Sequence, residues 1–304
     1  MFLPPQDFVK SPEALARIYS EKEAQEYTRW LTRAHYENFH VATFLLPRRL
    51  HQDFYNVYAF CRWADDLGDE IGNPRESLRL LEWWRGELDG MYEGRASHPV
   101  FVALQQTAAR HELPKQPFAD LIRAFVQDQT VVRYPTYEDL FGYCRYSANP
   151  VGRLVLHLCG YRDAQRQALS DATCTALQLA NFWQDVARDL EKGRVYIPLE
   201  SLARHGYTVE ELEARRETPA FRAVMREAVE VARRLFVEGL PLARLVHRRL
   251  AADVELFSRG GLLVLEKIER QNYNVLARRP CVSRTERVWM LVSTLARMAL
   301  PRAA

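Results

Sequence analysis

Leu177-Gln178-Leu179-Ala180-Asn181-Phe182-Trp183-Gln184-Asp185-Val186-Ala187-Arg188-Asp189 joins two patterns in one run. Its apolar residues recur at helical spacing, and Asn181, Asp185 and Asp189 recur every fourth residue. The run therefore reads as a helix with an acidic stripe down one face. Upstream, Tyr58-Ala59-Phe60-Cys61-Arg62-Trp63-Ala64-Asp65-Asp66-Leu67-Gly68-Asp69-Glu70 repeats the arrangement, with Asp65 and Asp69 one turn apart. Like charges at that spacing cost a few tenths of a kcal/mol on an exposed helix, and several times more in a low dielectric. Phe60, Trp63, Leu67, Phe182 and Trp183 flank the stripes and predict burial, which calls for a neutralising cation. All donors are oxygens, which suits a hard ion such as Mg²⁺, and Mg²⁺ is commonly shared between carboxylates and substrate phosphates. The stripes thus predict a metal-bridged diphosphate site held by Asp65, Asp66, Asp69, Asn181, Asp185 and Asp189. The alternative is a pair of solvated acidic faces. Glu70 points about 100° away from Asp69 on a regular helix and reads as solvated.

Outward from these runs, the helical signal continues over all 304 residues. Ser20 with Glu23, Thr136 with Asp139, Thr208 with Glu211 and Ser283 with Glu286 have capping-box spacing. Pro12, Pro99, Pro117 and Pro219 sit where first-turn prolines belong, and Gly160 and Gly206 suit helix ends. No long alternating Val/Ile/Thr run announces a strand. The expected helices are 12–18, 21–36, 48–70, 75–93, 99–111, 117–132, 137–158, 171–191, 209–216, 219–239, 242–258, 261–273 and 284–300. With no low-complexity linker and no composition shift, the expected architecture is a single all-α domain over 1–304. Its core runs over about 15–290, its helices surround a central cavity, and a basic helix at 284–300 closes it.

Composition narrows the function classes. Hydrophobic residues at 48% and charged residues at 27% describe a globular chain and exclude disorder. A net charge of +3 is too small to point to nucleic acid. Cys61, Cys144, Cys159, Cys174 and Cys281 lie far apart without a CxxC pair. They predict neither a disulfide framework nor a zinc site, fit a reducing cytoplasm, and read as small buried packing residues. The first residues, MFLPPQDFVKSPEAL, lack a signal-peptide core. The longest uninterrupted apolar runs, such as Val288–Val292, are far short of the roughly 20 residues of a membrane span. The last 30 residues hold Arg278, Arg279, Arg284, Arg287, Arg297 and Arg302 against Glu286, with Trp289, Leu291, Val292, Leu295 and Met298 among them. Two readings stand: a peripheral helix at the cytoplasmic membrane surface, attracted to anionic lipid, or a final packing helix with a basic face.

At the two acidic runs the chain resembles the squalene/phytoene synthase family, the all-α head-to-head prenyl synthases of the isoprenoid (terpenoid) synthase fold. The resemblance extends to Asn38-Phe39 through Leu45-Leu46-Pro47, to Tyr143-Cys144-Arg145-Tyr146-Ser147-Ala148-Asn149-Pro150-Val151-Gly152, and to Gly193-Arg194-Val195-Tyr196-Ile197-Pro198. It covers about residues 15–290. Ser147–Arg153 together with Arg62–Asp66 is most similar to the family's bacterial hydroxysqualene synthases of hopanoid biosynthesis. The family often has Arg directly before the middle Asp of the second motif, where Gln184 stands here.

What the resemblance implies is a Mg²⁺-dependent lyase, with Mn²⁺ as an alternative ion, acting on presqualene diphosphate without NADPH. Diphosphate leaves, the cyclopropylcarbinyl cation rearranges and opens, and water captures the allylic cation to give hydroxysqualene. The expected partners are a prenyl diphosphate and, functionally, the enzymes of neighbouring steps; no nucleic acid partner is expected. A sibling presqualene diphosphate, squalene or phytoene synthase is the second reading, and a catalytically dead relative a third. A head-to-tail prenyltransferase or terpene cyclase would need a second-motif pattern that Asn181–Asp189 lacks.

Roles follow residue by residue. Arg62 either forks onto diphosphate or pairs with Asp65 and Asp66. Arg194 and Tyr196 match the segment that the family places near the diphosphate, and Arg153 is a further binding candidate. Carbocations need aromatic walls, each worth about 0.5–2 kcal/mol. Phe39, Tyr58, Tyr143, Phe182 and Tyr273 are the candidates, and Tyr58, Tyr143 and Tyr273 align with family positions. Gln178, one turn before Asn181, would position diphosphate or water. Asn149 is a candidate for presenting the quenching water, and His40 beside Phe39 reads as structural.

Overall fold

The computed structural model describes residues 2–34 and 45–299, with the side chains of 298 and 299 left aside. Phe39, His40, Arg302 and the Met298 side chain therefore lie outside the described residues. In chain order the helices are α1 (Pro5–Phe8), α2 (Pro12–Ala16), α3 (Glu21–Ala34), α4 (His51–Asp69), α5 (Pro74–Tyr92), α6 (Pro99–His111) and α7 (Lys115–Gln127). They continue with α8 (Tyr137–Ser147), α9 (Asn149–Leu158), α10 (Ala164–Glu191), α11 (Leu199–Arg204), α12 (Val209–Glu213) and α13 (Pro219–Gly239). The last are α14 (Leu242–Leu245), α15 (Arg248–Arg270) and α16 (Arg284–Ala299). A short 3₁₀ turn, Arg48–Leu50, leads into α4. The described residues hold no strand, only a single parallel bridge between Arg133 and Val195. No helix among them is long and apolar enough to cross a membrane.

Local chemistry sets these boundaries. Thr136 with Asp139 and Thr208 with Glu211 form reciprocal capping boxes, as their spacing predicts. Ser20 with Glu23 and Ser283 with Glu286 exchange the same pair of bonds. Pro12, Pro99 and Pro219 open their helices, whereas Pro117 lies inside the first turn of α7, behind Lys115 and Gln116. The helix expected over 137–158 is two helices broken at Ala148, because Pro150 has no N–H to continue the ladder. The helix expected to end at 132 stops at Gln127, and the chain beyond it pairs with 195, Val195 N donating to Val132 O at 2.8 Å. The largest correction is α15. The sequence predicts helices over 242–258 and 261–273, yet a single helix runs from Arg248 to Arg270 through Gly260 and Gly261. A Cβ on Gly261 would lie 2.2 Å from Cζ of Phe236 on α13, so this glycine serves a close helix approach rather than a turn.

Packing groups the chain into two compact units, residues 1–130 with 150–163, and residues 131–149 with 164–304. In the first, Trp63 of α4 stacks on Trp84 of α5 at 4.9 Å and 8°, and Phe60 meets Phe118 edge-on at 4.8 Å. Polar ties fix the rotation of α4. Asp53 accepts from Thr107 (2.9 Å) and Arg110 (3.0 Å), and Asn56 takes a bond from Thr28 (2.7 Å) and gives one to the Ala103 carbonyl (3.1 Å). In the second, α10 packs along α13 and α15, and Gly239 lets α13 approach Thr173.

Candidate active site

With α4 pinned by Asp53 and Asn56, one face of its last turns carries Tyr58, Arg62, Asp65, Asp66 and Asp69 at i, i+3 and i+4 spacings. The apolar flank behaves as the sequence suggests: Phe60, Trp63 and Leu67 are all fully buried. Arg62 pairs within the helix, to Asp65 at 3.3 Å and more closely to Asp66. Asp66 is buried, whereas Asp65 keeps about half of its side chain (45%) in contact with solvent. Crowding by surrounding protein atoms still strips water from the Asp65 carboxyl and, with Asp69 and Asp66 beside it, pushes it up to about 6 against the pull of Arg62. Burial also raises the Tyr58 hydroxyl. Glu70 is exposed, as expected.

In the second unit, α10 presents Gln178, Asn181, Asp185 and Asp189 on its wetter face, while Phe182 and Trp183 are buried. Phe182 lies flat on Tyr196 at 3.8 Å and 7°. Tyr143 of α8 closes on both rings, 6.2 Å from Phe182 and 6.0 Å from Tyr196. Phe182, Asp189, Arg194 and Tyr196 line one narrow recess. Residues from three separate stretches of sequence thus meet here. The sequence missed a fourth ring, Tyr134, stacked on Tyr196 at 5.8 Å; its one signal is the Tyr-Pro-Thr lead-in to the α8 capping box.

A second missed residue is Arg279. Its Nε and Nη2 grip the Asp185 carboxylate, the latter at 2.9 Å, so this arginine is not part of a free basic tail. That carboxylate raises the Arg279 pKa. Beside it the Gln184 side chain donates to the Pro280 carbonyl. Gln184 is therefore buried and anchors the 271–283 segment. Tyr273 stands at the head of that segment with φ of 63°, its ring 5.3 Å from the Arg226 guanidinium. Asn149 is buried, and its Oδ1 accepts a bond from Thr175 on α10 at 2.9 Å. Arg153 is half-buried on α9 in the first unit. Cys144 is buried and its thiol is pushed up to about 12, but Cys281 is exposed, which corrects the reading of every cysteine as core.

The donor chemistry fits a hard divalent ion. The side-chain oxygens of each stripe are hard donors, and, on top of burial, Asp69 and Asp66 beside Asp65 hold its carboxyl up, as a cluster of like charges does. Among the described residues no three acidic, His or Cys side chains converge on one point. Mg²⁺ does not require such a cage, since it binds through one or two carboxylates plus waters and substrate phosphates.

Comparison with known proteins gives the family and the fold. The family model for squalene/phytoene synthase matches residues 32–286. The chain is 34% identical over 261 residues to a phytoene synthase of Thermus thermophilus, covering 85% of this chain and 88% of that one. It is 30% identical to the 15-cis-phytoene synthase of Synechococcus elongatus, covering 87% and 90%. Among solved structures, squalene synthase HpnC from Alicyclobacillus acidocaldarius superposes with a TM-score of 0.81 at 45% identity, covering 89% and 99%. A dehydrosqualene synthase in complex with ligand gives 0.82 at 25% identity, covering 92% and 98%. The chain is a member of the squalene/phytoene synthase family and has the all-α terpenoid synthase fold. Its relatives are prenyltransferase-type enzymes of isoprenoid biosynthesis that use prenyl diphosphates.

Proposed function

We propose that this protein is a hydroxysqualene synthase, a carbon–oxygen lyase converting presqualene diphosphate and water to hydroxysqualene and diphosphate. The observation that carries the reading is the Ser147-Ala148-Asn149-Pro150 junction, where Pro150 breaks α8 from α9 and Asn149 is locked to Thr175. The 45% identity to squalene synthase HpnC, against 34% to the Thermus phytoene synthase, supports it.

Asp65, Asp66 and Asp69 on α4 and Asn181, Asp185 and Asp189 on α10 would hold Mg²⁺. When bound, the ion neutralises charge developing on the leaving diphosphate. Arg62, braced by Asp65 and Asp66, keeps a guanidinium at the acidic face to orient the diphosphate. Arg194, in one recess with Asp189, does the same in the second unit. The Tyr143–Phe182–Tyr196 stack offers π faces that stabilise a cation without attacking it. The enzyme would work in the cytoplasm, with prenyl diphosphate as its ligand and no nicotinamide.

The phytoene synthase relatives favour a second reading, head-to-head condensation of two prenyl diphosphates. Purified enzyme with Mg²⁺ and no NADPH, given presqualene diphosphate or farnesyl diphosphate separately, separates the two. Hydroxysqualene from the first and no turnover of the second is the expected result. Presqualene diphosphate formed from farnesyl diphosphate would replace the proposal with the second reading.

A further inference from the structure

The α16 helix carries apolar residues on its outward as well as its inward side. Met290 and Thr294 face inward, and Arg259 on α15 reaches across to donate to Ser293 (2.9 Å) and Thr294 (3.1 Å). Lys267 pairs with Glu286 at 2.8 Å, which removes that acid from the electrostatic account. An apolar strip runs along the outward side. Val288 is 61% exposed, Val292 57% and Leu295 38%, one turn apart on one face, with Trp289 beside them at 66%. Such a contiguous exposed apolar strip is uncommon on a soluble surface and marks a contact. Arg284 is exposed on its flank and Arg287 on the adjoining side of the first turn, and neither has an ionic partner among the described residues, whereas Arg297 lies on the side toward Arg259.

From this face we infer a peripheral docking surface for an anionic lipid bilayer, with α16 lying in the plane of the interface. Valine and leucine enter the acyl boundary, Trp289 sits at headgroup level, and the arginines meet lipid phosphates. Charge complementarity selects this occupant over a second copy of the chain. A two-fold contact would set the patch against itself and bring Arg284 and Arg287 toward their own kind. The inference is independent of the active-site reading, since no residue of this face takes part in it.

The test is sedimentation of the full-length protein with phosphatidylcholine vesicles, with and without phosphatidylglycerol, at low and high salt. The wild type is expected to pellet with the anionic vesicles and to be released by salt. An Arg284→Glu/Arg287→Glu variant should lose about thirtyfold or more in affinity, at about tenfold or less per arginine contact. A Val288→Ser/Val292→Ser variant should lose about tenfold with an unchanged melting temperature, since both side chains already face water. No pelleting of the wild type with anionic vesicles overturns the inference, as does equal pelleting of the variants. A wild-type dimer in sedimentation velocity that Val288→Ser/Val292→Ser dissolves also overturns it, in favour of a second copy.

Discussion

Asp253 on α15 is buried, and neither of its carboxylate oxygens has a hydrogen-bond partner among the described residues. Burial pushes it up to about 9. In the unfolded chain the same group ionises near 4, as free aspartate does. Between those values the native state holds one more proton, so stability falls as pH rises, by about 1.4 kcal/mol per unit at most. Urea unfolding at several pH values should show this slope in the wild type and not in Asp253→Asn. Parallel profiles would mean that Asp253 finds a partner in solution. Asp185 makes the opposite case, a carboxylate already gripped by a cation. Arg279→Ala should free it, loosening the 271–283 segment to proteolysis while leaving the Gln184–Pro280 tie in place. Unchanged proteolysis would show that the Arg279 contact is not what holds the segment. If Asp185 also holds the metal, Asp185→Asn should cut turnover of presqualene diphosphate about a hundredfold or more.

At the scale of the element, the paired glycines of α15 give a controlled comparison. Gly260 has open space around its missing Cβ, so Gly260→Ala should stabilise by up to about 1 kcal/mol through helix propensity alone. Gly261→Ala instead drives a methyl into Phe236 and should destabilise by about 1–3 kcal/mol, with Phe236→Leu restoring part of the loss. Equal effects at both positions, read by thermal unfolding, would contradict the close approach of α13 and α15. The same helix shows where sequence legibility ends. Capping boxes and i, i+4 stripes are local, so the ends of α8 and α12 and the acidic faces of α4 and α10 are readable from a few residues. A glycine that admits a ring 25 positions away in the chain looks the same as one that ends a helix. For the same reason no local pattern announces the Asp185–Arg279 pair or the Tyr134 ring, since both make contacts between segments distant in sequence. Arg279 in particular reads as one more charge of a basic tail until its partner is seen. Tyr143, Phe182 and Tyr196 are each legible as candidates in the sequence, but their assembly into one stack is a tertiary fact.

Across the whole molecule, the sequence match over 32–286 and the superposition on squalene synthase HpnC fix the family and the fold. The proposed reaction turns on how water enters the product. Hydroxysqualene formation requires a new bond from carbon to the oxygen of a water molecule, whereas simple hydrolysis at phosphorus keeps the original ester oxygen in the alcohol. The measurement is mass spectrometry of the product formed from presqualene diphosphate in ¹⁸O-enriched water, with Mg²⁺ and without NADPH. Hydroxysqualene carrying the heavy isotope is the expected product. A hydrocarbon, or an alcohol with unlabelled oxygen, would contradict it.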